Sequence, residues 1–501
     1  MSLIDNLLFG LSIVAQPENL LFCFIGVFLG TLVGVLPGVG PTATIAMLIP
    51  ITFAMSPTTA VIMLAGIYYG SQYGGSTTAI LLNVPGESSN AVTAMDGYQM
   101  ALQGRAGAAL AIAALGSFFA GTVCTLAIAL FAVPLGSVAL KFNSADYFSL
   151  MLLGLIGSVA LAHGRVLNAI GMIMVGLLFG LVGTDIYTGM TRFTLDFIEL
   201  SDGINFVPIA IGLFGLPEIL RNLENMAKGE KPGLPRSVGR LWPTRDEFRR
   251  SAPATFRGTA LGGVLGILPG AGATIASFMS YTLEKRVSRQ PERFGRGAPE
   301  GVAGPESANN AAAQTAFIPM LALGIPSTPN LAVIIGALLV QGFAPGPTII
   351  TAYPDFFWAV IVSMWIGNAM LLVLNLPLVG LWVQLLRIPY PMLFPAVLAF
   401  CAVGTYAVDS NIFDVYTLVA AALAGYVLGK CGCEPAPLVL GFVLGPLIDQ
   451  HFRRALLVSN GDPMIFLERP ISAGLLAVAL ALLAITIVPA LRKQRDRMVE
   501  E

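Results

Sequence analysis

Glycine falls on every fourth residue at Gly26, Gly30, Gly34 and Gly38, and again at Gly258, Gly262, Gly266 and Gly270. Such a ladder smooths one face of a helix, so that another backbone can approach it closely. Each ladder runs into Pro-Gly-x-Gly, as Pro37-Gly38-Val39-Gly40 and as Pro269-Gly270-Ala271-Gly272. Proline and glycine together break a helix there. A second apolar stretch follows each break, over 42–53 and 274–283. Halves of about 12 residues reach about 18 Å at helical rise, too short to span a bilayer. The pattern predicts two hairpins or broken helices with tips inside a membrane. Irregular backbone at that depth survives only where protein or a water-filled cavity covers it.

The membrane itself is demanded by composition. Of 501 residues, 56% are hydrophobic and only 11% are charged, and mean hydropathy is +0.80. A soluble domain carries about 25% charged residues. A water-soluble fold is thus excluded, as is disorder. The expected fold is an all-α polytopic protein in a lipid bilayer. A net charge of −1 leaves no basic field for nucleic acid. Catalytic signatures such as HExxH, GxSxG and the Walker loop are absent, so no catalytic residues and no enzyme activity are expected. The five cysteines are odd in number, and Cys431-Gly-Cys433 has no second Cys or His pair nearby. Neither a disulfide framework nor a bound metal follows. The first residues lack the basic region of a signal peptide, so the chain is expected to keep its first segment.

The breaks belong to a duplicated unit. An offset of 232 carries Gly34-Val-Leu-Pro-Gly-Val-Gly40-Pro-Thr42 onto Gly266-Ile-Leu-Pro-Gly-Ala-Gly272-Ala-Thr274. A second match follows at an offset of 241, between Asn83-Val-Pro85 and Gly324-Ile-Pro326. Ordered matches at nearly one offset indicate an internal repeat. The expected organisation is a first membrane repeat over 1–221 with its hairpin at 26–54, and a basic loop over 222–257. A second repeat follows over 258–491 with its hairpin at 258–283, and then a basic tail over 492–501.

Basic residues assign the sides. None occurs before Arg105. Nine lie in 221–257, five in 284–296 and four in the tail, together eighteen of the 27. The positive-inside rule places these stretches in the cytoplasm. The second ladder is flanked by two of them, whereas the first has no basic flank and faces outward. Five crossings between the ladders, over 57–104, 106–134, 144–163, 165–183 and 203–221, invert the second hairpin relative to the first. Six more, over 305–342, 355–377, 391–408, 412–429, 435–448 and 470–490, return the tail to the cytoplasm, for about 11 in all. Lys141, Arg453 and Arg454 fall outside as exceptions. The parity changes if 57–104 or 305–342 folds back on itself.

Inverted repeats with broken helices point to a secondary transporter with sites near the midplane. The paired LPGxG motifs, GSQYGGSTTAILLNVPGE (70–87) and GPESANNAAAQTAFIPMLALGIPS (304–327), resemble the large membrane subunit of the tripartite tricarboxylate transporters, the TctA family. The resemblance covers nearly the whole chain. It implies a multi-pass permease of the bacterial inner membrane, a small four-helix membrane subunit as partner, and a periplasmic solute-binding protein that delivers a small carboxylate. A channel or an exporter of small organic anions is the alternative reading. An intramembrane enzyme is a third class, for which paired acids or a Ser/His set are missing.

Basic side chains are scarce in the apolar segments, so an anion would meet backbone amides at half-helix N-termini and neutral side chains. The first hairpin offers Pro37, Gly38, Gly40, Thr42 and Thr44, and the second offers Pro269, Gly270, Gly272, Thr274 and Ser277. The broken segments add Ser76, Thr77, Thr78, Asn83, Pro85 and Gly86, with Pro326, Ser327 and Asn330. Taken singly, each hydroxyl would bond back to its own helix. Free carbonyls at the same breaks suit a sodium ion as coupling ion. Glu306 is the competing carrier, for protons, unless it caps a helix starting at Gly304-Pro305. Asn309 and Asn310 follow it, with helix packing as their alternative role. Glu87 lies in a polar turn that water would solvate. His163, beside Gly164-Arg165, is read as solvated at a cytoplasmic end.

Overall fold

The computed structural model describes residues 2–36, 40–139, 141–161, 166–185, 187–227, 238–268, 272–346, 349–385 and 390–487. Pro37, Gly38, Pro269, Gly270 and His163 lie outside the described residues, as do Arg387 and the basic tail.

The described residues are mostly helical. The first half runs α1 (Leu3–Val14), α2 (Pro17–Val35), α3 (Pro41–Thr52), α4 (Pro57–Leu82), α5 (Ala91–Leu102) and α6 (Ala106–Ala139). It continues through α7 (Ser144–Leu161), α8 (Val166–Gly180), a two-stranded turn pairing β1 (Gly183–Thr184) with β2 (Thr191–Arg192), α9 (Phe206–Ala210) and α10 (Leu216–Ala227). The second half opens with α11 (Arg245–Leu265), α12 (Gly272–Val287), α13 (Glu300–Thr315), α14 (Phe317–Leu323) and α15 (Pro329–Val340). It ends through α16 (Ile349–Ala352), α17 (Pro354–Asn375), α18 (Val379–Leu385), α19 (Tyr390–Asp409), α20 (Ile412–Lys430), α21 (Pro435–Val458), α22 (Ile465–Glu468) and α23 (Pro470–Ile487). Proline opens α2, α3, α4, α15, α17 and α21, where its missing N–H costs nothing and its fixed φ fits the helix.

Among the described residues, four segments are long and apolar enough to cross a membrane: Pro17–Val35, Ala106–Phe131, Pro354–Asn375 and Ile412–Lys430. Shorter apolar helices, among them Leu3–Val14, Pro41–Thr52 and Val166–Gly180, join them. With the near absence of strand, this is an all-α membrane protein.

The glycine ladders do what their spacing predicts. A Cβ on Gly26, Gly30 or Gly34 would strike backbone of α4 at Met63, Ile67 and Ser71. A Cβ on Gly258, Gly262 or Gly266 would strike backbone of α13 at Gly304, Ala308 and Ala312. Each pair of partners is again 241 residues apart, so the second match in sequence is continuous with the packing. The same offset relates the ends of the long helices. Asn83 closes α4 at φ 59° and Gly324 closes α14 at φ 71°, both left-handed. The segments 57–104 and 305–342 are therefore helix, turn and helix; in the first, the loop after Asn83 returns along α4, and α5 then runs beside α4 in the same direction, with Asn90 bonded to Gln72 and Gly97 against Ile80.

A second packing pattern interlocks the halves. Gly176 and Gly180 of α8 press on Leu438 and Phe442 of α21. In mirror fashion Gly425 of α20 presses on Leu213 and Pro217, beside a π turn over Ile211–Gly215. Pro208-x3-Gly212 and Pro437-x3-Gly441 share a spacing that the ladders had not drawn attention to.

Helix boundaries depart from the expectation of short halves. α3 has 12 residues, but α2 has 19, α11 has 21 and α12 has 16. α11 begins far back in the basic stretch because Thr244 and Glu247 form a reciprocal cap, each side chain bonded to the other's backbone N–H.

Ion pairs among the described residues fall into two sets. One joins Arg105 to Glu247 at 2.7 Å, Arg250 to Glu300 at 2.7 Å and Arg257 to Glu284 at 2.5 Å, with Lys430 on Glu224. The other joins Arg453 and Arg192 to Asp185 at 3.0 Å, and Arg469 to Asp146 at 2.8 Å. α6 runs between them, starting beside Arg105 and ending just before Asp146. The Tyr187 amide holds the Asp185 carboxyl below the usual carboxylate range.

Candidate functional site

The two half-helix N-termini meet. Pro41 and Thr42 open α3, while Gly272, Ala273 and Thr274 open α12, and all five line one cavity of about 370 Å³. The loops that follow the two left-handed turns close it, with Glu87, Ser88 and Ser89 from the first and Pro326 to Asn330 from the second. Tyr68 and Gln72 of α4, Glu434 just before α21, and apolar residues of α12, α15 and α21 complete the wall. Among the described residues, no Lys, Arg or His lines it.

The contacts across the cavity are crossed between the halves. Thr42 of the first half donates its hydroxyl hydrogen bond to Asn330 Oδ1 of the second. Thr274 of the second half shares a 2.8 Å hydroxyl–hydroxyl bond with Ser88 of the first. Each of these helix starts is thus tied to a loop of the opposite half of the chain. Amide groups of the first helical turn lack intrahelical acceptors, and they carry the positive end of the helix dipole. Two such ends face one space here. The Ser327 hydroxyl is buried and has no hydrogen-bond partner, so a further donor is free.

Carboxylates are also present. Glu87 accepts from Ser71 Oγ at 2.6 Å and Gln72 Nε2 at 2.9 Å, and Ser89 Oγ donates to Gln72 Oε1 at 3.0 Å. The polar turn that looked solvated in sequence is instead folded against α4. Glu306 lies one layer away. It sits inside α13, which begins at Glu300, so it does not cap a helix at Gly304-Pro305; Pro305 is interior. The side chain is fully buried. It accepts from Ser76 Oγ at 2.6 Å, Thr93 Oγ1 at 2.5 Å and Asn90 Nδ2 at 3.1 Å.

Of the expected residues, Thr42, Gly272, Thr274, Pro326, Ser327 and Asn330 converge on the cavity. Gly40 caps α3 and accepts the Thr44 hydroxyl at 3.1 Å. Ser277 bonds back to Ala273 and Thr78 to Gly75, the self-satisfied arrangement of a helical hydroxyl. Thr77 is buried in α4 away from the cavity. Asn83 is spent on the left-handed turn, Pro85 is exposed beside it, and Gly86 packs on Gly34 and Gly75. Asn310 reaches Ser117 at 2.6 Å, a bond between helices. Tyr68, Gln72, Ser88, Ser89 and Glu434 were not expected; Gln72 and Ser88 stand inside or beside the quoted motif 70–87, which was the available signal. A second, wider cavity of about 680 Å³ has Glu199, Asp202 and Asp414 on its wall, a setting that repels anions.

Comparison with known proteins agrees with this architecture. A family model described as the tripartite tricarboxylate transporter TctA family matches residues 20–440. A relative from Agrobacterium vitis, described as an uncharacterized 52.8 kDa protein in the TAR-I ttuC' 3' region, is 60% identical over 501 residues, all of this chain and 99% of its own. A protein of the TAR-II ttuC' 3' region of the same organism is 55% identical over 240 residues, 48% of this chain and 99% of its own. No solved structure matches. The chain belongs to the TctA family, the large membrane subunits of tripartite tricarboxylate transporters.

Proposed function

We propose that this TctA-family subunit imports a small carboxylate by alternating access, with the two repeats inverted across the inner membrane. A periplasmic solute-binding protein hands over the substrate, a small four-helix subunit completes the permease, and cations supply the driving force. One observation carries this reading: the amide ends of α3 and α12, one from each repeat, face a single cavity without basic side chains. Carboxylate oxygens find backbone N–H groups and hydroxyls there. A site tied to both repeats by crossed hydrogen bonds is also one that relative motion of the repeats would open and close.

Coupling to cations follows from energy. Each negative charge moved inward against 100 mV costs about 2.3 kcal/mol. No nucleotide site is present in the sequence, so an ion gradient is the source. Glu87 on the cavity wall favours a cation beside the anion.

Two measurements test this. Vesicles reconstituted with the chain, the small subunit and the binding protein, loaded with the carboxylate that co-purifies with it, should take up label when a sodium gradient is imposed. Uptake that needs ATP with all ion gradients collapsed refutes secondary transport. Met55→Cys and Ser288→Cys, each alone in a background without native cysteines, should differ in labelling by an impermeant reagent, with position 55 reactive from outside. Equal labelling of both from outside refutes the inversion.

A further inference from the structure

The hydrogen bonds around Glu306 describe an arrangement that the cavity does not need. Its three bonding partners, Ser76, Asn90 and Thr93, are all neutral. A carboxylate buried without a counter-charge is costly unless something compensates it. Two further oxygens stand by. Asn90 Oδ1 is buried with no hydrogen-bond partner. The Asn309 side chain, one turn along α13 from Glu306, is fully buried, and neither of its amide atoms has a hydrogen-bond partner. Two carboxylate oxygens and the Ser76 and Thr93 hydroxyl oxygens meet here; a half-turn of the Asn90 amide, whose NH2 group faces the carboxylate, would add its oxygen, and the unbonded Asn309 amide would supply another. Hard cations of this size take six or more oxygens, whereas a proton needs one.

The cluster is not a product of the duplication. At the offset of 241, Ser76, Asn90 and Thr93 correspond to Phe317, Leu331 and Ile334, while Glu306 and Asn309 correspond to Ala65 and Tyr68. The repeated packing therefore needs none of these polar groups. One half supplies three of them and the other half supplies two.

We propose that Glu306, Ser76, Asn90, Thr93 and Asn309 form a binding site for a hard monovalent cation of sodium's class, one helical turn behind the cavity wall. This places the coupling ion away from the breaks where sequence put it, and it rests on the reading of the chain as a cation-coupled carboxylate importer. The link to the cavity is the short 3-10 turn Ser88–Asn90. Its first residue bonds Thr274 at the cavity, and its last bonds Glu306. Gln72 links them a second time, since its side chain holds Glu87 and its carbonyl accepts from Ser76 and Asn90. A cation held by Glu306 and Asn90 fixes the turn, and so fixes the wall that a substrate would meet.

The test needs neither substrate nor transport. The purified full-length chain in detergent is titrated with NaCl against choline chloride at constant ionic strength and pH, and thermal unfolding is followed by tryptophan fluorescence. Tm should rise saturably with sodium only. Thr93→Val should raise the half-saturating concentration about tenfold, the loss of one good ligand interaction, and Glu306→Gln should abolish the response. Glu224→Gln, a surface carboxylate paired with Lys430, should keep it. If Glu306→Gln does not fold, Thr93→Val and Asn309→Ala decide the matter. Equal behaviour in sodium and choline overturns the proposal, as does a sodium response unchanged by these substitutions. A Tm that ignores sodium but shifts with pH in a Glu306-dependent way assigns the site to a proton instead. Carboxylate uptake measured separately then shows whether the transport reading survives.

Discussion

The unit α2–α5 and the unit α11–α15 share their backbone packing and differ in their chemistry. In both, a glycine ladder lies on a long helix, a further apolar helix follows it, and a left-handed residue turns the chain back. In the first, the long helix and its successor carry Ser71, Gln72, Ser76, Asn90 and Thr93. The second has Ala312, Ala313, Phe317, Leu331 and Ile334 at the same places. Close backbone approach depends on small residues and is kept in both copies. Polar groups buried in an apolar core cost stability unless they are bonded, and the two units carry them at different places, the second on α13 at Glu306, Ser307, Asn309, Asn310 and Gln314. The contrast separates what builds the unit from what the unit is used for.

The sharpest way to break that comparison is at the ladders. Gly30→Val and Gly262→Val each place a side chain on backbone of the facing helix, and backbone cannot yield as a side-chain tip does. Each should cost about 3 kcal/mol or more, read as loss of the monodisperse protein in detergent. Equal damage in both copies is the expected result, and tolerance in either one would end the packing equivalence.

Next in size is an exchange of chemistry between copies. Thr93→Ile gives the first unit the second unit's residue and should abolish sodium-driven uptake. Ile334→Thr does the reverse and should leave uptake within about twofold, since a helical Thr can bond back to its own turn. Comparable losses from both would mean that the polar asymmetry has no role.

Smaller effects are expected at the crossed contacts. Thr42→Val and Thr274→Val each remove one hydrogen bond and should lower stability by about 1 kcal/mol, to a similar extent. The smallest lies outside both units, at Asp185. Its depressed pKa contributes stability that is present above the ordinary carboxylate range near 4. That stability is lost as pH falls through the folded-state value. Asp185→Asn should flatten that acid limb of a Tm–pH profile and leave the two units unaffected.

Much of this was legible in sequence because it is periodic. The ladders and the offset of 241 are regular spacings, and packing obeyed them. Helix starts were harder. Pro305 resembles a first-turn proline, yet Arg250 pairs with Glu300 a turn earlier and the helix extends back to it. The cavity was half legible. Thr42, Thr274 and Asn330 mark the breaks, but Tyr68, Gln72 and Glu434 come from segments far apart in sequence, and only the fold brings them together. Glu87 misled because polar neighbours in sequence suggest water, whereas here they are hydrogen-bond partners across a turn.

The 34 residues of α6 have a consequence for the bilayer itself. At helical rise the helix is about 51 Å long, some 20 Å more than a typical hydrocarbon core. Its first turn is already occupied, with Ala106, Ala108 and Ala109 packed beside Val238 and Leu241. The surplus must be taken up by tilt or by length standing clear of the lipid. A helix anchored at one end, with ion pairs beyond both ends, makes the protein a gauge of membrane thickness. In thin bilayers more of its apolar length is left in the headgroup region.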